Sequence, residues 1–200
     1  MRHPLHRRGF SLLESLVALF LLGLVTSIAL RALSDLYKKS AIDAATTDVA
    51  LVFTIARDHA ILSGRHTGVK WFSKDGDVVL SVYEDRNGNG VLTEDIKKGI
   101  DRLVAGPYFM RGKYPHISFS FLPDFKGLDP SGNPIGNLSD PIRFGRSDIC
   151  SFAPDCGASP GSVYLSNGAD RQSVVRVSPA SGKIQVFDWQ PAKKKWIRRL

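Results

Sequence analysis

Asp85-Arg86-Asn87-Gly88-Asn89-Gly90-Val91 sets oxygen-bearing side chains at alternate positions and follows them with a glycine. Such spacing wraps a chain around a hard cation, with the first, third and fifth loop positions as ligands and a glycine turn at the sixth. Val91 could add its carbonyl, and Asp95 falls close to where a closing carboxylate belongs. The slot for a bidentate Glu instead holds Ile96, and two of the first three ligands are Asn. Any Ca²⁺ would therefore be weakly held, in the class of about 10⁻⁴–10⁻³ M. A plain turn accounts for the same residues, because Asn-Gly is itself a hairpin signal, and it is the preferred reading. Nothing else in the sequence requires a cofactor.

Lys193-Lys194-Lys195-Trp196-Ile197-Arg198-Arg199-Leu200 gathers cations around an indole. Clustered cations bind phosphates by releasing counterions, and Trp196 could stack on a base, which would make DNA a partner. The same run could meet anionic lipid or an acidic partner subunit. It could equally be a solvated, frayed end. Enzyme signatures are missing: His59, His66 and His116 have no catalytic neighbour pattern, and no nucleophile elbow, Walker loop or zinc-protease motif occurs. The chain reads as non-enzymatic.

The elements that must position these residues begin with FSLLESLVALFLLGLVTSIAL, residues 10–30, an apolar stretch interrupted by one charge, Glu14. As a helix of about 21 residues at about 1.5 Å each, it matches the thickness of a bilayer core. A core helix of a soluble protein would show a polar face, and this one shows almost none. A cleavable secretory signal would have a shorter apolar region and a small-residue cleavage site. Arg2, Arg7 and Arg8 precede the stretch with no acidic residue among them, which holds the first residues in the cytoplasm and sends the remainder across the membrane.

At its start, Arg8-Gly9-Phe10-Ser11-Leu12-Leu13-Glu14 resembles the processing motif of type IV prepilins and type II secretion pseudopilins. The resemblance implies that a prepilin peptidase cuts between Gly9 and Phe10 and N-methylates Phe10. It also implies that Glu14 pairs with the terminal amine of a neighbouring subunit and so fixes the register of assembly. A carboxylate in the apolar zone costs a few kcal/mol without such a partner. Alternatively Glu14 only sits in the first helical turn, where the macrodipole favours an anion. Other pilin or pseudopilin subunits and an inner-membrane assembly platform are the partners that the resemblance implies.

Removal of residues 1–9 changes the meaning of the +8 formal charge. Without Arg2, Arg7 and Arg8 the 27 basic residues become 24 against 19 acidic, and five of the 24 lie in the last eight residues. The rest balances at 19 against 19, so the basicity belongs to the C-terminus and not to the domain. A uniformly basic, ribosomal type of protein is excluded.

Beyond Leu30 the apolar residues Leu33, Leu36, Tyr37, Ala41, Ala44, Ala45, Val49, Val52, Phe53, Ala56 and Ala60 recur every three or four positions. This predicts an amphipathic continuation, residues 31–62, stopping at Gly64, with Gly23 a packing notch. Strands are predicted at 69–72, 78–83, 116–122, 162–165, 173–177 and 183–189, with turns at 74–77 and 179–182. Residues 123–160, rich in Pro, Gly, Asp and Ser, read as a surface excursion with at most a short strand at 142–144. A β-rich periplasmic domain would occupy 66–192 and a basic tail 193–200.

Asp48-Val49-Ala50-Leu51, Ala56-Arg57-Asp58-His59-Ala60-Ile61, Gly161-Ser162-Val163-Tyr164-Leu165, Val175-Arg176-Val177-Ser178 and Gly182-Lys183-Ile184 are similar to the helix end and C-terminal hairpin of the GspH/FimT group of minor pseudopilins and pilins. The fold so implied is α+β, a long N-terminal helix packed on antiparallel sheet. With the domain on the oxidising side of the membrane, Cys150 and Cys156 are expected to form a disulfide, two free thiols being the alternative. The expected function is that of a minor subunit in a periplasmic filament of the type II secretion system. The alternative is a minor type IV pilin that binds DNA through Lys193, Lys194, Lys195, Trp196, Arg198 and Arg199.

Overall fold

The computed structural model describes residues 11–74 and 77–199. In chain order the elements are α1 (Leu12–Ser63), β1 (Thr67–Lys74), β2 (Asp77–Glu84), α2 (Thr93–Lys97), β3 (Arg102–Phe109), α3 (Met110–Lys113) and β4 (Ile142–Arg143). There follow β5 (Ile149–Phe152), β6 (Gly161–Ser166), β7 (Gln172–Val177), β8 (Ile184–Gln190), a 3-10 turn (Pro191–Lys193) and β9 (Lys195–Arg198). The chain divides into two units after Lys38.

The first unit is helical throughout its described length from Leu12 and runs unbroken through Gly23. Its apolar side chains from Leu12 onward are exposed, among them Leu12, Phe20, Val25, Ile28 and Leu36. Thr26 returns its hydroxyl to the Leu22 carbonyl at 2.7 Å, so its one polar group is satisfied within the helix. The helix is long and apolar enough to cross a membrane. An apolar surface this extensive requires a cover.

In the second unit the rest of α1 buries one stripe: Ile42, Ala45, Val49, Val52, Phe53, Ala56 and Ala60. The spacing of three and four residues keeps them on one face, and the alanines let the helix approach the sheets closely. Ala44, expected on this stripe, is exposed. The helix stops at Ser63 because Gly64 takes a left-handed conformation, φ +67°.

Two antiparallel sheets meet this stripe through one shared core. The first has the order β3-β2-β1-β5 and the second β4-β6-β7-β8-β9. Phe53 of α1 sits between them, its ring 5.6 Å from those of Trp71 and Phe144 and 6.4 Å from that of Phe152. Gly161 marks a close approach: a Cβ there would run into the Phe144 ring and the Arg143 carbonyl. The hairpins β1–β2 and β7–β8 close at the predicted turns, with Lys74 opposite Asp77 and Val177 opposite Ile184.

The sheets depart from expectation in four places. Residues 116–122 form no strand; Ser118 bridges Ser166 alone, because β4 and β7 already occupy the two edges of β6. Instead β3 pairs with β2, its period hidden in the sequence by Gly106-Pro107, which an edge strand tolerates. The excursion 123–160 contains β5 as well as β4, and β5 pairs with β1. The C-terminal stretch, expected as a tail, carries β9 against β8.

Candidate functional site

Ser11 caps α1: its Oγ accepts the Glu14 backbone N–H at 3.2 Å. Glu14 thus stands three residues past the cap, exposed, and is the acidic residue of the first turn. Ser and Glu at this spacing are a capping-box signature, present in the sequence but not read there. Gly9 and Phe10, the expected cleavage and methylation positions, lie outside the described residues.

The Asp85 loop is a closed, polar structure. Asp85 Oδ1 accepts the N–H groups of Asn87 and Gly88 at 3.1 and 2.8 Å, and Oδ2 that of Gly90 at 2.7 Å. Asp95, at the start of α2, accepts the side-chain amides of Asn87 and Asn89 on one oxygen, at 3.1 and 2.9 Å. The Asn89 amide first, and then that of Asn87, hold the Asp95 carboxyl below its usual range. Val91 is buried. Sequence reasoning missed Asp101, which the turn after α2 returns to this loop: its N–H reaches the Asp95 carbonyl, and its Oδ2 accepts the Leu92 N–H. Burial, and then the charges of Asp85 and Asp95, push the Asp101 carboxyl up, against the opposing pull of the Leu92 and Arg86 backbone. Among the described residues no three His, Cys, Asp or Glu side chains converge as a metal cage by themselves.

The expected disulfide is not formed: Cys150 and Cys156 are both free. Cys150 lies opposite Val69 on β5 with its side chain in the core, fully buried, and burial pushes its thiol well up. Cys156 sits exposed in a turn with φ 71°. The strand phase that sends one thiol inward leaves the other at the surface.

The basic C-terminus is drawn into the fold by β9, and the side chains of Trp196 and Arg199 make contacts with the domain. Trp196 donates its indole N–H to the Leu128 carbonyl at 2.7 Å, and its ring stands 5.3 Å from Trp189 and 5.7 Å from Phe125. Arg199 pairs with Asp43 of α1 at 2.9 Å and with Asp188 of β8. Lys193, Lys194, Lys195 and Arg198 are exposed.

A further cluster was not read from the sequence. Glu84, 2% exposed, faces His59 of α1 at 2.6 Å, Arg102 at 3.1 Å and Arg86 at 3.3 Å. His59 first, and the two arginines after it, hold the Glu84 carboxyl down against its burial. The available signal was phase: Glu84 alternates with the buried Leu80 and Val82, which puts it on the core face of β2.

Residues 5–30 match the prokaryotic N-terminal methylation motif. The chain is a type IV prepilin-like protein. It is 28% identical over 169 residues, 84% of this chain and 93% of the other, to pilin-like protein PilA1 of Thermus thermophilus. No solved structure matches significantly.

Proposed function

We propose that this chain is a non-enzymatic minor subunit, of the GspH/FimT kind, in a periplasmic filament of the type II secretion system. Prepilin peptidase would cut at Gly9 and methylate Phe10. Residues 10–30 would cross the inner membrane, with the domain in the periplasm. Successive subunits, added at the assembly platform, would push the filament outward and help drive protein export. The observation carrying this reading is the wholly exposed apolar helix with Glu14 in its first turn, set within the methylation motif. Such a helix is soluble only in a bilayer or among copies of itself, and a carboxylate in that setting needs a cationic partner.

The secretion reading is preferred to DNA uptake because Trp196 and Arg199 are engaged within the domain. Lys193, Lys194, Lys195 and Arg198 are exposed, and no exposed aromatic side chain stands among them to stack on a base. Mass spectrometry of the chain purified from native membranes should find methylated Phe10 as the first residue; a chain still starting at Met1 overturns the assembly reading. Full-length protein in detergent should bind duplex DNA no more tightly than a K193A/K194A/K195A variant. Tight binding with a log–log salt slope of about −3 to −4, lost in that variant, would transfer the function to DNA uptake.

A further inference from the structure

Asp85, Asp95 and Asp101 are 2%, 7% and 4% exposed, and they are the buried aspartates of the described residues. Buried carboxylates normally face a cation, as Glu84 does with Arg86 and Arg102. No ion pair within 4.0 Å reaches any of these three aspartates among the described residues, although Lys97, Lys98, Arg86 and Arg65 belong to nearby segments. Three negative charges are thus gathered on one loop without a direct ion pair, the Lys98 charge acting on Asp95 from beyond pairing distance and the Arg65 guanidinium resting on the Asp85 and Arg86 carbonyls at 3.5 Å.

Asp101 separates this loop from an ordinary Asx turn. Its Oδ2 is engaged by the Leu92 N–H and the Arg86 backbone also draws on the carboxylate, but its Oδ1 is buried with no partner in hydrogen-bonding geometry. A buried, unpaired carboxylate oxygen beside two like charges is costly, and the cost is relieved by a positive ion. The rest of the loop is already convergent. Asn87 and Asn89 aim their amides at one Asp95 oxygen, so the N–H groups stand where positive charge is wanted. Asp85 takes three N–H bonds, leaving a carboxylate about one acceptor site free.

We propose that this loop is a Ca²⁺ site. Asp85 and Asp95 supply charged oxygens, Asn87, Asn89 and the Val91 carbonyl supply neutral ones, and Asp101 adds a third charge beside the shell rather than within it. A shell that mixes carboxylates with amide oxygens accords with the lack of a three-carboxylate cage. It fits Ca²⁺, which accepts about six to eight oxygens in flexible geometry, better than Mg²⁺, which demands near-ideal octahedra. The site is independent of the secretion reading.

The test is a titration of the full-length chain in detergent, cleared with EGTA, with CaCl₂ from about 10⁻⁵ to 10⁻² M, followed by calorimetry and by melting temperature. Saturable heat with a dissociation constant of about 10⁻⁴–10⁻³ M, and a matching rise in melting temperature, are expected. MgCl₂ over the same range should give neither. D101N should weaken Ca²⁺ binding at least tenfold while melting higher than wild type without the ion, because a like charge has been removed. D95N should also weaken binding, and gives a second test if D101N is poorly folded. An absence of saturable heat in the wild type, or unchanged affinity in both variants, overturns the proposal.

Discussion

His59 Nε2 stands 2.6 Å from Glu84 Oε2, so the last turns of α1 are tied to the end of β2 by a buried carboxylate. The two residues lie 25 positions apart, and the pair sits one residue before the Asp85 loop. Glu84 thereby anchors the loop's first residue to the helix. Arg86 of the loop and Arg102 at the start of β3 close the cluster.

Because the folded Glu84 pKa lies below its ordinary value of 4.5, its stabilisation is full above that value and is lost as pH falls through the folded one. E84Q is expected to lower stability at pH 7 by about 2 kcal/mol, the scale of hydrogen bonds to a charged group. As pH falls below 4.5 and through the lowered folded pKa, the difference between wild type and E84Q should shrink as the carboxylate is protonated. Urea unfolding of the full chain at a series of pH values checks both the size and the direction.

The free thiols should be distinguishable without a structure. In the native chain a maleimide is expected to modify Cys156 and to spare Cys150, whose thiol is buried and held protonated. C156S should leave native protein unlabelled, and denaturation should expose Cys150 in both. A native chain that takes up label only after reduction would show that the cysteines are bonded.

R199A is expected to destabilise the domain by about 1–2 kcal/mol, because it leaves Asp188 and Asp43 without their guanidinium and loosens the last strand from α1. K194A, at an exposed position of the same basic run, should stay within about 0.5 kcal/mol of wild type. Thermal melts of the two variants side by side separate a structural arginine from surface cations.

At the head of α1, Ser11 and Glu14 should separate capping from assembly. S11A removes the side-chain cap and should cost about 1 kcal/mol of local helix stability while leaving subunit incorporation intact. E14Q should leave the helix in place but lower incorporation, since its partner is expected on a neighbouring subunit. Cross-linking in native membranes reads incorporation, and wild-type levels in E14Q would remove Glu14 from the assembly contact.

The sequence by itself determined the helix, its membrane-length apolar half, its stop at Gly64 and the hairpins β1–β2 and β7–β8. Each is written in local periodicity or turn chemistry, where neighbours along the chain carry the signal. Whatever depended on residues distant along the chain was decided by the tertiary structure. Residues 116–122 have strand composition but found the edges of β6 taken, whereas β3 formed across Gly106-Pro107 because β2 offered an edge. The thiols could be placed only once β5 set its phase on β1, which turned Cys150 into the core. The last eight residues read as surplus charge until β8 supplied a strand partner, Asp188 and Asp43 supplied counter-charges, and Phe125 and Trp189 packed against Trp196. Asp101 carries no spacing signal toward Asp85. The turn after α2 brings them together, and burial of like charges on one loop is a property that only the folded chain possesses.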